Sequence, residues 1–248
     1  MRRAAGGKSV YTREQFSKLI DNTYLKAAAT REEMVRFIEE GRQHHFAALV
    51  VFPYWVPLAV KMLDGTDVKV CTPIGFPYGT VTRSTKVYEA RNAVTNGAGE
   101  LDVVMNVSAL KSGDIEYVQR ELSEIVSAAQ LSGLTEDSRR TLVKVIIETP
   151  ALTDDEKITA CEIVRDCGAD FVKTSTGTAG NGGALLEDIR LIRTVLGPSI
   201  GVKAAGGIRT IEHAMDLLDA GANRLGTSTG IALVEMYNPE ELLKPVQQ

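Results

Sequence analysis

The strongest constraint on the fold is a regular alternation of short apolar runs with longer segments of helical periodicity, which begins near residue 20. Short β-branched runs are typical of buried parallel strands, and the intervening segments are typical of helices that cover such a sheet. We predict eight strands, over residues 20–23, 47–52, 68–72, 100–105, 143–148, 170–173, 200–204 and 224–227. This pattern predicts a single-domain α/β protein, a (β/α)8 TIM barrel, which typically takes about 250 residues.

Local signals at helix ends support this organisation. Two helical segments begin with a threonine followed three residues later by a glutamate, which fits the capping box; these pairs are Thr30 with Glu33 and Thr153 with Glu156. Three glycines follow helical segments and precede strands, where a left-handed residue ends the helix; they are Gly97, Gly168 and Gly221. Residues 1–15 precede the first predicted strand, and we expect them to form a peripheral N-terminal extension.

Composition narrows the class of function. The formal net charge of −4 at pH 7 leaves no basic stripe of the kind that binds nucleic acid. No segment approaches the roughly 20 apolar residues needed to span a membrane. The three cysteines, Cys71, Cys161 and Cys167, lack the paired spacing of zinc sites and suggest reduced thiols. We therefore expect a cytoplasmic protein that binds neither nucleic acid nor membrane.

The histidines give no indication of a metal site. His44 and His45 are adjacent and cannot share a helix face, and His213 stands alone in a helical segment. We expect neither a metal ion nor another cofactor.

Two lysines stand at the ends of consecutive predicted strands, Lys173 after residues 170–172 and Lys203 after residues 200–202. Active sites of this fold lie at such ends, and a buried lysine charge is costly, so the pair favours catalysis over a structural or ligand-neutralising role. An amine attacks a carbonyl only when it is unprotonated. Lowering a lysine pKa from about 10.4 to near 7 requires roughly 4.6 kcal/mol, and a second ammonium about 4 Å away supplies on the order of 4 kcal/mol.

Two aspartates could serve these lysines. Asp102 lies inside an otherwise apolar strand and could move protons, or it could form an ion pair that only neutralises a lysine. Asp21, in the first predicted strand, could orient a substrate hydroxyl or hold a lysine. Both readings of each aspartate stay open at this point.

Small residues follow the last strands, at 174–177, 204–207 and 226–230. Glycine and serine expose backbone N–H groups, and barrels of this kind frequently bind phosphate in the loops after strands seven and eight. Each loop alone would also suit an ordinary turn. Together, in these places, they predict a phosphate site.

Six segments carry a resemblance to a known family over nearly the whole chain. They are VKVCTPIGFPYG at 68–79, GELDVVMNVSALKSGD at 99–114, VKVIIETPALTDDEK at 143–157, GADFVKTSTG at 168–177, GVKAAGGIRT at 201–210 and RLGTSTG at 224–230. The chain resembles the deoxyribose-phosphate aldolases. The resemblance implies reversible cleavage of 2-deoxy-D-ribose 5-phosphate to acetaldehyde and D-glyceraldehyde 3-phosphate in deoxyribose phosphate catabolism, without a metal, and is compatible with a homo-oligomer, a dimer or tetramer.

The resemblance also implies roles for individual residues. Lys173 would form the Schiff base, and Lys203 would lower its pKa and assist proton transfer. Asp102 would act with a bound water as the proton relay, and Asp21 would support it by hydrogen bonding. The expected substrate-binding and phosphate-binding residues are Thr174, Gly177, Gly206, Gly207 and Ser228.

Three features depart from the family pattern. Asn22 stands where histidine is common, Val50 replaces a cysteine often found in the second strand, and the loop 177–188 differs from its commonest form. Because Val50 removes a thiol near the pocket, we predict greater tolerance of high aldehyde concentrations. Three alternatives stay open: a lysine aldolase for another sugar phosphate, a non-catalytic phosphate-binding barrel, and an isomerase with a glutamate base.

Overall fold

The computed structural model describes residues 2–3, 9–132, 140–178 and 183–242. Its strands, in chain order, are β1 (Arg2–Arg3), β2 (Ser9–Val10), β3 (Ile20–Tyr24), β4 (Ala48–Val51), β5 (Lys69–Ile74), β6 (Glu100–Val104), β7 (Leu142–Ile146), β8 (Phe171–Lys173), β9 (Gly201–Ala205) and β10 (Arg224–Thr227). Strands β3 to β10 pair in parallel in chain order, and β10 pairs with β3 to close the barrel. The structure therefore confirms the predicted (β/α)8 fold.

Helices connect the strands on the outside of the barrel. In chain order they are α1 (Arg13–Ser17), α2 (Arg31–Gln43), α3 (Val56–Met62), α4 (Arg83–Thr95), α5 (Val107–Lys111), α6 (Ile115–Ser132), α7 (Asp154–Asp166), α8 (Leu186–Leu196), α9 (Ile211–Asp219), α10 (Gly230–Met236) and α11 (Pro239–Leu242). Short 3-10 turns cover Pro53–Trp55 and Thr149–Ala151. In the part of the chain that the structure describes, no helix is long and apolar enough to cross a bilayer.

The predicted helix ends are present. Thr30 and Thr153 each accept a hydrogen bond from the glutamate three residues later, and each glutamate side chain bonds back to the threonine N–H. Gly97, Gly168 and Gly221 all have positive φ, at 96°, 76° and 118°. The helix-to-strand junctions are therefore built as the sequence predicted.

The described part of the N-terminal segment lies outside the barrel and packs against it at a few residues. Strands β1 and β2 form a small antiparallel ribbon, and Ser9 and Val10 are buried. The Ser9 N–H donates to Asp219 of α9, and Phe16 of α1 stacks on Tyr237 with ring centroids 4.3 Å apart. Within residues 9–17, Ser9, Val10, Phe16 and Ser17 are buried, whereas residues 12–15 are exposed.

The strands have two chemically different faces. Side chains such as Leu101 and Val103 of β6 belong to a large apolar layer between the strands and the helices. The alternate side chains point into the barrel, where a small apolar group contains Ala48, Val50 and Cys71. The rest of this interior is occupied largely by charged side chains, which form the centre of the candidate site.

Candidate active site

Lys173 and Lys203 lie side by side inside the barrel. They occupy paired register positions on β8 and β9. The side chain of Lys203 is fully buried, whereas that of Lys173 keeps 7% of its surface exposed. The structure therefore distinguishes the two lysines, because only Lys173 of the pair is open to the barrel mouth.

Asp102 joins the two lysines through one oxygen. Its Oδ2 accepts hydrogen bonds from Lys173 Nζ at 2.8 Å and from Lys203 Nζ at 2.7 Å. Burial alone would raise the pKa of Asp102, but Lys144, Lys173 and Lys203 together hold it well below its usual range. Asp102 is therefore an ionised carboxylate that can accept or return a proton beside either amine.

Asp21 lies on the other side of Lys203. Its Oδ2 is 2.5 Å from Lys203 Nζ, and its Oδ1 accepts a hydrogen bond of 2.6 Å from Arg224. Burial opposes its ionisation, but Lys144, Lys203 and Arg224 hold the pKa of Asp21 below its usual range. Asp21 is fully buried, and its ion pair fixes the position of the Lys203 side chain.

The two lysines differ in their pKa values. Burial is the largest influence on Lys173 and lowers its pKa; attraction to Asp102 opposes this change and repulsion from Lys203 reinforces it, so the pKa falls below the usual value. Burial also acts to lower the pKa of Lys203, but Asp102 and Asp21 raise it above the usual value. Desolvation therefore contributes more to the activation of Lys173 than the repulsion that the sequence argument emphasised.

Sequence reasoning missed three charged members of this interior. Lys144 of β7 is fully buried, 3.2 Å from Asp102 Oδ1 and 2.5 Å from Glu100 Oε2. Arg224 of β10 contacts Asp21, and its second terminal nitrogen lies 3.5 Å from Glu100. We call the set of Asp21, Glu100, Asp102, Lys144, Lys173, Lys203 and Arg224 the buried charge cluster. Charged residues inside the otherwise apolar runs LVKVI and ELDVV were a signal of such an interior, although the sequence alone does not say which face of the strand they occupy.

A cavity of about 260 Å³ opens beside Lys173 at the carboxyl ends of the strands, and we call it the mouth cavity. Its lining includes four of the predicted phosphate-binding residues, Gly177, Gly206, Gly207 and Ser228. Arg209, which the sequence analysis did not single out, also lines it. The predicted loops therefore converge on one space, next to the exposed tip of Lys173.

Thr174 occupies a different position from the one expected. It is fully buried, and its hydroxyl donates to the carbonyl of Ala205 and accepts from the N–H of the same residue. Both hydrogen-bonding functions of this hydroxyl join β8 to β9, and Thr174 does not belong to the cavity lining. We therefore leave Thr174 out of the proposed phosphate site.

Gly206 is required by the geometry of the cavity wall. Its φ is +100°, which side chains rarely allow, and a Cβ there would lie 2.9 Å from Ser175 Oγ. The backbone of Gly183 packs so tightly against it that a Cβ on Gly183 would lie 2.4 Å from the Gly206 carbonyl oxygen. This part of the wall is therefore made of closely packed backbone, with no room for a side chain at Gly183 or Gly206.

Glu148 is another residue that sequence reasoning missed. It follows β7 with a left-handed backbone, φ 58° and ψ 62°, a conformation that costs free energy for a residue with a side chain. Its Oε2 accepts a hydrogen bond of 2.9 Å from the N–H of Thr176, which lines the mouth cavity. Glu148 therefore holds the loop that follows Lys173.

The three departures from the family pattern take different places. Asn22 is buried, and its Oδ1 accepts from the N–H of Gly230 at 3.3 Å, so it holds the loop after β10. Val50 is buried in register with Cys71, beneath Leu25 of the cavity lining. In the loop 177–188, residues 179–182 lie outside the described residues.

Comparisons with known proteins identify the family of the chain. The model of the DeoC/LacD family aldolases matches residues 10–234, and the chain therefore belongs to this family of aldolases. It is 50% identical over 226 residues to a deoxyribose-phosphate aldolase of Caldanaerobacter subterraneus subsp. tengcongensis, covering 91% of this chain and 95% of that protein. It is 52% identical over 221 residues to a deoxyribose-phosphate aldolase of Thermococcus gammatolerans, covering 88% of this chain and 95% of that protein.

A solved structure shows the same architecture. The tetrameric deoxyribose phosphate aldolase from Aeropyrum pernix superposes with a TM-score of 0.81 at 33% identity, covering 90% of this chain and 91% of that one. Fold, family and relatives together establish the protein as an aldolase, an enzyme of the carbon–carbon lyase class.

Proposed function

We propose that this aldolase reversibly cleaves 2-deoxy-D-ribose 5-phosphate into acetaldehyde and D-glyceraldehyde 3-phosphate through an imine on Lys173. One observation carries the assignment of the nucleophile. Lys173 lines the mouth cavity and has a lowered pKa, whereas Lys203 is fully buried behind it. The relatives that share about half of the sequence are named for this substrate.

The proposed chemistry uses two side chains, those of Lys173 and Asp102. The free amine of Lys173 attacks the C1 aldehyde of the open-chain sugar, and loss of water leaves a protonated imine. Removal of the C3 hydroxyl proton lets the C2–C3 bond break, its electron pair passes toward the imine to give an enamine, and C3 leaves as the aldehyde of glyceraldehyde 3-phosphate. Asp102, acting through a bound water, returns a proton to C2. Hydrolysis of the resulting imine releases acetaldehyde and regenerates Lys173.

Lys203 and Asp21 support this cycle from behind the nucleophile. Lys203 donates to the same Asp102 oxygen as Lys173, so it can take over that hydrogen bond when the amine of Lys173 becomes an imine nitrogen. Asp21 keeps Lys203 in place and protonated, since it raises the pKa of Lys203. The two lysines therefore have different roles: Lys173 reacts as a free amine, and Lys203 stays protonated.

The phosphate would lie at the glycine-rich wall of the mouth cavity. Backbone N–H groups at Gly177, Gly206 and Gly207 and the hydroxyl of Ser228 suit the oxygens of an anion. Arg209 lines the same space and supplies a positive charge with a planar set of donors. Because hydrogen bonds to charged groups contribute about 1.5–3 kcal/mol, we expect Arg209→Met to raise KM for the phosphorylated sugar by roughly 10-fold or more and to leave deoxyribose kinetics nearly unchanged.

Borohydride reduction tests the imine and the residue together. The protein is mixed with deoxyribose 5-phosphate and borohydride, and the adduct is located by peptide mass spectrometry. We expect an irreversible adduct on Lys173 in the wild type and none in Lys173→Met. Lys203→Met is the matched control, because it removes the other amine and should give a slower adduct that is still on Lys173.

Other outcomes have clear meanings. An adduct on Lys203 would reverse the roles of the two lysines. No adduct, under conditions where the sugar phosphate demonstrably binds, would overturn the proposal and favour a non-catalytic or isomerase function. Turnover with other sugar phosphates, but not with deoxyribose 5-phosphate, would keep the imine and change the substrate.

We also infer a homo-oligomeric, cytoplasmic enzyme. The Aeropyrum pernix relative is tetrameric, and the unpaired Cys71, Cys161 and Cys167 suit a reducing compartment. Light scattering coupled to size-exclusion chromatography tests the first inference, and a single mass equal to one chain would refute it.

A further inference from the structure

The buried charge cluster has one more basic group than it has carboxylates. Its acidic members are Asp21, Glu100 and Asp102, and its basic members are Lys144, Lys173, Lys203 and Arg224. A buried net charge is costly, since an apolar interior stabilises it poorly. With every group ionised the cluster would carry one positive charge, and with Lys173 as the free amine it would be neutral.

The groups that face Lys173 come from several strands. Asp102 of β6 and Lys203 of β9 act on it by their charges, and Cys71 of β5 lies within 3.3 Å of Asp102. Burial raises the pKa of the Cys71 thiol well above its usual range, so this thiol adds no charge. Strand β4 contributes only Ala48 and Val50 to the interior, and both are uncharged.

Three members of the cluster lie behind Lys173 and form their ion pairs with other members. Of the seven, only Lys173 lines the mouth cavity. Glu100, Lys144 and Arg224 pair with one another or with Asp21 and Asp102. Lys144 contacts all three carboxylates, at 2.5 Å from Glu100, 3.2 Å from Asp102 and 3.4 Å from Asp21. The charges of Glu100 and Arg224 therefore act on Lys173 from a distance, across the interior of the cluster.

We propose that Glu100, Lys144 and Arg224 are positioning residues that set the charge state of Lys173 by fixing the net charge of the buried cluster. The proposal rests on the proposed function, in which Lys173 must be an unprotonated amine to react. Lys144, Lys203 and Arg224 all have raised pKa values because carboxylates surround them, although burial opposes the change in each. Lys173 alone among the four has a lowered pKa, so it is the member that gives up its proton.

The proposal predicts opposite effects from two remote substitutions. Glu100→Gln removes a negative charge, so the cluster becomes more positive and the pKa of Lys173 falls. The acid limb of the profile of kcat/KM against pH, where activity is lost as Lys173 becomes protonated, then moves to lower pH. Arg224→Gln removes a positive charge, so the pKa of Lys173 rises and the limb moves to higher pH. At an effective dielectric near 20, we expect shifts of about one pH unit in each direction.

The double variant Glu100→Gln with Arg224→Gln is the matched control. It removes one charge of each sign, so the limb should return close to its wild-type position. Thermal unfolding of each variant shows whether it is folded. If Arg224→Gln does not fold, the shift of the acid limb to lower pH in Glu100→Gln is sufficient to test the proposal, and an unmoved limb in that variant would overturn it.

The profiles are measured with deoxyribose 5-phosphate on the full chain, and borohydride trapping of the wild type is run beside them. Limbs that stay fixed, or that move in the same direction in both single variants, would overturn the proposal. Absence of a trapped adduct in the wild type would instead count against the proposed function. A role in stability alone would lower the unfolding temperature without moving the two limbs apart.

Discussion

The two faces of the same strands build two different environments. In β6, Leu101 and Val103 point outward into a continuous apolar layer, whereas Glu100 and Asp102 point inward to the charge cluster. Burying the first pair stabilises the fold by roughly 1.5–3 kcal/mol for each side chain. Burying the second pair brings a desolvation cost that ion pairing only offsets. The outer layer therefore holds the barrel together, and the interior is arranged for chemistry.

This comparison explains why the charged interior is tolerated. Each carboxylate in it contacts at least two basic groups, and the strands that carry them are fixed from outside by the helices. The apolar layer is larger and continuous, so its burial offsets the free energy of desolvating the charged interior. Substitution of an inward residue of β6 should consequently change activity, whereas substitution of its outward neighbour should change the free energy of unfolding.

Asp102→Asn should have the largest effect, on activity. It removes the carboxylate that bridges Lys173 and Lys203 while preserving its shape. General acid–base catalysis contributes about 10²–10⁴-fold, so we expect kcat/KM to fall by a factor in that range. Steady-state kinetics with deoxyribose 5-phosphate measures it, and a loss of less than about tenfold would contradict the relay role.

Leu101→Ala, the neighbour on the opposite face, should act on stability. The substitution leaves a cavity in the fully buried outer layer, for which we expect a loss of about 2–5 kcal/mol in the free energy of unfolding. Denaturant unfolding measures it, and kcat at 25 °C should remain within about twofold of the wild type. A strong loss of kcat with unchanged stability would break the division between the two faces.

Glu148→Ala should have a moderate effect on substrate binding. It deletes the acceptor for the Thr176 N–H and so loosens the loop beside the mouth cavity. We expect KM to rise by about tenfold, equivalent to roughly 1.4 kcal/mol, with a smaller change in kcat. Glu148→Gln is the control, since its amide oxygen can still accept this hydrogen bond, and an equal rise in KM for both variants would exclude the positioning role.

Val50→Cys should have the smallest effect on steady-state activity, and its main effect should be a lower tolerance of acetaldehyde. The new thiol would lie beneath Leu25 and beside Cys71, close to the cavity that admits acetaldehyde. We expect faster loss of activity during incubation in acetaldehyde alone, with a mass increase located at position 50. Equally rapid inactivation of the wild type, through an adduct in the same pocket, would refute the protective role of Val50.

The sequence was sufficient for the fold because every level of its pattern agreed. Strand runs, capping boxes and glycine ends all indicated the same βα order. Lys173, Lys203 and Asp102 could be recognised because each is a charged residue in an otherwise apolar strand. The loops at Gly177, Gly206 and Ser228 could be grouped for the same reason, since strand ends meet at one face of the barrel.

The rest depended on distances that a linear pattern does not contain. Lys144 lies in an alternating strand, where an inward lysine and an outward lysine look alike until the sheet closes. Thr174 has a hydroxyl that could equally contact a ligand or a neighbouring strand, and the register of β8 with β9 decided in favour of the strand. Glu148 required the backbone conformation at its own position to be known.

The charge cluster is drawn from six strands, β3 and β6 to β10, which span residues 21 to 224. No shorter piece of the chain contains it, so the reactive amine is a property of the closed ring. In a chain that lacks β10, neither Arg224 nor the pairing of β10 with β3 is present, and Lys173 would lose the surroundings that lower its proton affinity. The return of imine-forming activity during refolding therefore reports ring closure itself, and it distinguishes a finished barrel from an open sheet with the same secondary structure.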